Sequence, residues 1–63
     1  MPWKVTRPDR TLIGVFPTAN DAYVAKAHAL ADALNRTNAI PPRERTDQEH
    51  WSRRKDLYRV TKI

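Results

Sequence analysis

Polar and apolar residues alternate over Trp3-Lys4-Val5-Thr6-Arg7 and again over Tyr58-Arg59-Val60-Thr61-Lys62, so both ends of the chain read aromatic, basic, Val, Thr, basic. Period-2 alternation of β-branched and aromatic residues with cations predicts strands over 2–7 and 57–62, each with a cationic face. Between them, Arg7-Pro8-Asp9-Arg10-Thr11 reads as a turn, because Pro8 presets φ and Asp9 can bond its own backbone. The return strand is 12–16. Its run Leu12-Ile13-Gly14-Val15-Phe16 lacks polar alternation, the pattern of a strand covered on both faces, and Gly14 admits a ring or backbone at close range or marks a bulge.

The pattern then changes period. Phe16-Pro17-Thr18 closes the strand, with Thr18 as N-cap and Asp21 in the first turn, and a helix is predicted from Ala19 to about Asn35. Tyr23, Ala27, Leu30 and Leu34 form one stripe at helical spacing, flanked by Ala22, Ala29 and Ala33, while Asp21, His28, Asp32 and Asn35 gather opposite. Seven alanines between 19 and 33 make this helix strong by propensity and thin enough to lie close on a sheet, against Trp3, Val5 and Phe16. Residues 36–56 are a charged excursion: Pro41-Pro42 forces extended backbone, and Thr46-Asp47-Gln48-Glu49 matches a capping box opening a short second helix from Asp47 to about Lys55. Trp51 then packs this segment on the second sheet face or awaits a partner. The expected fold is α+β: one domain over 1–63, with a small three-stranded, mainly antiparallel sheet in the order ββαβ and the long Ala-rich helix on one face.

Charge sharpens this picture. Twelve basic residues against seven acidic ones give a net charge of +5, with four basic and three acidic side chains in 1–35 against eight and four in 36–63. A basic half favours a polyanionic partner such as DNA or RNA, or is a solvated surface that keeps a small protein in solution. Two basic sets stand out. Lys4, Arg7, Arg10, Arg59 and Lys62 lie on or beside the strands, and Lys4, Thr6, Arg59 and Thr61 would face a DNA groove together; the same cations could equally protect sheet edges from aggregation. Arg53, Arg54 and Lys55, with Arg43 and Arg45, form the second set, which a helix C-terminus would also favour. Trp51 beside these arginines, with Ile40 and Pro41-Pro42, has the composition of a protein-binding anchor.

Reactive chemistry is sparse: there is no cysteine and a single glycine, so no thiolate site and no Gly-rich phosphate loop. His28 and His50 fall on separate segments without metal-ligand spacing, and Ser52 lies two residues from His50, a separation that does not face side chains together on a helix. A non-enzyme without metal or cofactor is expected. The apolar runs fall short of the roughly 20 residues that span a bilayer, and Met1-Pro2-Trp3 lacks a signal-peptide core, so a cytoplasmic protein with no membrane partner is expected.

The elements Trp3, Val5 and Arg7, the Pro8-Asp9 turn, Phe16-Pro17-Thr18 and Ala22 resemble the amino-terminal arm-binding domains of phage tyrosine recombinases. The resemblance covers about the first 35 residues; no Gly follows Asp9, and the stretch from Arg36 to Asp56 separates the helix from the last strand. In length and layout the chain is also similar to small proteins of bacteriophages of high-GC actinobacteria. That likeness implies a protein acting in the host cytoplasm by binding a host protein or DNA. The interspersed Glu44, Asp47, Glu49 and Asp56 make the second half a mixed surface, which favours a non-catalytic module that binds a host protein with an acidic surface through Trp51, Ile40, Arg43, Arg45, Arg53 and Arg54. The alternative is a small DNA- or RNA-binding protein using the sheet edge and Arg53-Arg54-Lys55. A homodimer in which the end strands pair between copies is the third possibility.

Overall fold

A computed structural model describes all of residues 1–63. Its elements are β1 (Trp3–Thr6), β2 (Leu12–Phe16), α1 (Ala19–Asn38), a 3₁₀ turn (Pro42–Glu44), α2 (Asp47–Ser52), a second 3₁₀ turn (Lys55–Leu57) and β3 (Arg59–Lys62). The strands form an antiparallel sheet in the order β2-β1-β3, with α1 on one face, as the α+β pattern predicts.

Local chemistry sets the hairpin. The Arg10 N–H donates to the Arg7 carbonyl at 2.8 Å and the Arg7 N–H to the Thr11 carbonyl at 2.9 Å. Asp9 Oδ1 accepts from the Thr11 N–H at 3.0 Å and from its hydroxyl at 2.6 Å. Closing this loop requires a left-handed residue, and Arg10 takes it at φ 73°. One residue of β2 is then extra: Val5 pairs with Gly14 but Thr6 with Leu12, which leaves Ile13 as a bulge.

Register explains the echo between the end strands. Val5 lies opposite Val60, which puts Lys4 across from Thr61 and Thr6 across from Arg59. Lys4 and Arg59 therefore each meet a hydroxyl, Lys62 meets Trp3, and no two cations are directly opposed. Val5 is fully buried beneath α1, flanked on the same face by half-buried Trp3, Phe16 and Val60. The Phe16 ring folds back over Gly14, where a Cβ would lie 2.9 Å from Cζ, so the glycine serves a close ring approach.

Three expectations are corrected. First, the second sheet face is open: Leu12 and Val15 are 55% and 53% exposed. The apolar run of β2 looked like a doubly covered strand, but β2 is an edge strand, and α2 with Trp51 packs beside α1 instead of on the far side of the sheet. Second, α1 is rotated from its predicted stripe. Ala22, Ala33 and Thr37 are its buried residues, whereas Tyr23 is 55% exposed and Ala27 faces out. Small side chains beneath the axis bring the helix close to the sheet; a tyrosine there would hold it off. Third, α1 runs to Asn38, beyond Asn35, while α2 stops at Ser52 and β3 begins at Arg59, each shorter than its predicted segment. Tyr58 lies outside the strand because its ring turns inward, and its hydroxyl donates to the Ser52 carbonyl at 2.9 Å.

The caps follow the sequence. Thr18 Oγ1 accepts from the Asp21 N–H at 3.1 Å. Thr46 and Glu49 complete the capping box, at 3.2 Å from the Glu49 N–H and 3.1 Å from the Thr46 N–H.

Candidate functional site

The arginines of the second half divide by what they touch. Arg45 Nε donates to the carbonyls of Thr37 and Ile40, at 3.1 and 3.0 Å, and so closes the C-terminal end of α1. An Arg53 NH group donates to Thr37 Oγ1 and to Asn38 Oδ1, both at 2.7 Å, while Thr37 Oγ1 donates to the Ala33 carbonyl at 2.8 Å. Together they tie the charged excursion to the last turn of α1. Arg54 forks onto Asp56, at 3.3 and 2.9 Å, on the surface. Of this group, Arg43 in the first 3₁₀ turn and Lys55 in the second are exposed and outside any ion pair. Residues read as a partner-binding cluster are thus largely engaged within the chain.

The strand set is arranged differently. On the face of the sheet away from α1, register lines up two rows across the strands: Val15, Lys4 and Thr61 in one, Leu12, Thr6 and Arg59 in the other. No carboxylate belongs to either row. Adjacent strands lie about 4.8 Å apart, so β2 to β3 spans roughly 10 Å, against a major groove about 12 Å wide. The remaining members of the set sit elsewhere. Lys62 lies opposite Trp3 and so belongs to the helix side, Arg10 is at the hairpin tip, and Arg7 borders a cleft.

That cleft, about 340 Å³, opens between the hairpin turn, α1 and α2. Trp51, 49% exposed, forms part of its wall, with Tyr58, Arg7 and Arg36 also lining it. Apart from Arg7, its ionisable groups are already engaged. Asp32 pairs with Arg36 at 3.0 Å. Hydrogen bonds from the Thr11 hydroxyl and N–H hold the Asp9 carboxyl below its usual range. Burial pushes the Tyr58 phenol up, so it remains a donor. Trp51 is the large apolar side chain exposed there. Ile40 does not join it; it borders a separate shallow depression with Thr46, Gln48 and Glu49.

Side-chain burial also places residues that sequence reasoning missed. Leu12 and Val15 join the cationic rows because the bulge and strand order turn them outward. Thr37 was legible in part: a threonine four residues after an alanine late in a helix can bond back to its carbonyl. No group of His, Cys, Asp or Glu is placed to hold a metal ion, and no helix is long and apolar enough to cross a membrane. Comparison with protein-family models, curated proteins and solved structures finds no match to this chain.

Proposed function

We propose that this protein is a non-catalytic nucleic-acid-binding module that applies the open face of its sheet to duplex DNA. The observation carrying this reading is the convergence of Lys4, Thr6, Arg59 and Thr61 on one exposed, helix-free face that holds no carboxylate. The β1–β3 ribbon enters the major groove, where cations meet phosphates or guanine edges and hydroxyls bond to either. Val15 and Leu12 provide apolar contact of the kind that thymine methyl groups accept. Duplex is favoured over single strands because this face offers no aromatic ring for bases to stack on. In a salt-dependent titration with duplex DNA, Lys4→Ala with Arg59→Ala should lower the slope of log K against log salt by roughly 2. No binding at low salt, or an unchanged slope, would overturn the reading.

The exposed Trp51 supports a second reading, binding of an acidic host protein at the cleft, with the unpaired Arg7 steering the encounter. Its test is stoichiometric recovery of one partner from host lysate. Trp51→Ala should lose that partner and the Lys4→Ala, Arg59→Ala pair should keep it; the reverse pattern refutes it.

A further inference from the structure

The end strands pair with each other inside one chain, and β1, with a neighbour on each side, has no edge to offer another copy. The expected route to a dimer through those strands is therefore closed for β1. The exposed edges belong to β2 and β3, and they differ in character. β3 carries Arg59 and Lys62 within four residues, the charge that natural sheets use to keep edges apart. β2 reads Leu-Ile-Gly-Val-Phe, with no charge and no proline. Its outer backbone groups have no partner among the turn, loop and cap hydrogen bonds, and α1 covers its face but no strand covers its edge.

We propose that β2 is the dimerisation edge, pairing antiparallel with β2 of a second copy about a two-fold axis through Gly14 to make one continuous six-stranded sheet. About that axis glycine meets glycine and Ile13 lies across from Val15 of the second copy, and the bulge at Ile13 confines the pairing to these central residues. A chain of net charge +5 repels its own copy over most of its surface, and β2 is the strand that brings no cation to the contact. The pairing is closed rather than open-ended, because the new outer edges are both the charged β3. A two-fold axis perpendicular to the sheet keeps both open faces on one side, so two sets of Lys4, Thr6, Arg59 and Thr61 become coplanar. The dimer itself does not depend on the nucleic-acid reading.

Mass measured by sedimentation over a concentration series tests this. Wild-type protein should rise from 7.3 kDa to twice that value and stop. Val15→Lys and Val15→Glu each place like charges on a diagonal about 7–8 Å apart across the axis, at an exposed position, and each should remain at the monomer mass with wild-type far-UV circular dichroism. Mixing the two variants should restore the doubled mass. Three results would overturn the proposal: wild-type protein that stays at 7.3 kDa at every concentration, mass that grows without limit as in head-to-tail β2–β3 stacking, or a mixture of folded variants that fails to associate.

Discussion

Replacing Arg45 by methionine tests whether the excursion is held by chemistry or merely lies against the helix. Methionine keeps an unbranched stem of similar reach and removes the donor, which leaves the Thr37 and Ile40 carbonyls without the N–H now at 3.1 and 3.0 Å. A hydrogen bond from a charged donor contributes about 1.5–3 kcal/mol. One N–H is shared here by two carbonyls, and the side chain is half-buried, so the low end applies and the expected loss is about 1.5 kcal/mol. For a domain of this size that lowers Tm by roughly 6–12 °C. Urea unfolding followed by far-UV circular dichroism should show a lower midpoint with the slope unchanged. Arg43→Met, at an exposed side chain two residues away, should stay within about 0.5 kcal/mol of wild type. If Arg45→Met matches wild type within about 0.3 kcal/mol, or Arg43→Met costs as much, the clasp does not stabilise the fold.

Two other predictions concern single residues. Arg10→Gly removes a side chain from a left-handed position at φ 73°; relief of about 1–2 kcal/mol, less about 0.5–1 for the more flexible unfolded chain, should raise stability by roughly 0.5–1 kcal/mol in the same urea assay, and a loss would show the turn to be built otherwise. The Thr46 N–H and hydroxyl hold the Glu49 carboxyl below its ordinary 4.5. A carboxyl lowered in the folded state stabilises fully above its unfolded value and loses that contribution as pH falls from 4.5 through the lowered value. Thr46→Ala should return Glu49 toward its ordinary titration by carboxyl NMR and flatten the acid loss; ordinary titration in the wild type would refute the capping box.

What could be read from the chain was local. Thr18, the Pro8-Asp9 turn and the Thr46–Glu49 box each act through bonds spanning two to four residues, and all appear as expected. What could not be read depends on partners far along the chain. Asn38 stays helical because Arg45 and Arg53 arrive from beyond the turn. The apolar β2 run looks the same in a central strand and in an edge strand, and only the position of β1 between the other two decides which it is. The cationic face was partly legible, because alternation placed Lys4 with Thr6 and Arg59 with Thr61. Their mutual alignment required the Val5–Val60 register, and the separation of Lys62 from them follows from it.

The central place of β1 also sets an order of assembly. β1, β2 and α1 are consecutive and meet through short loops, whereas β3 must join β1 across more than fifty residues, a closure that costs entropy before it gains contacts. The hairpin and helix are therefore expected to form first and β3 to dock last. Amides shared by β1 and β3 should open to hydrogen exchange more readily than those shared by β1 and β2. Lys4 and Thr6 come from the early part, Arg59 and Thr61 from the late one. A chain caught half-assembled holds only one half of the cationic face, so binding there would report that the whole fold is complete.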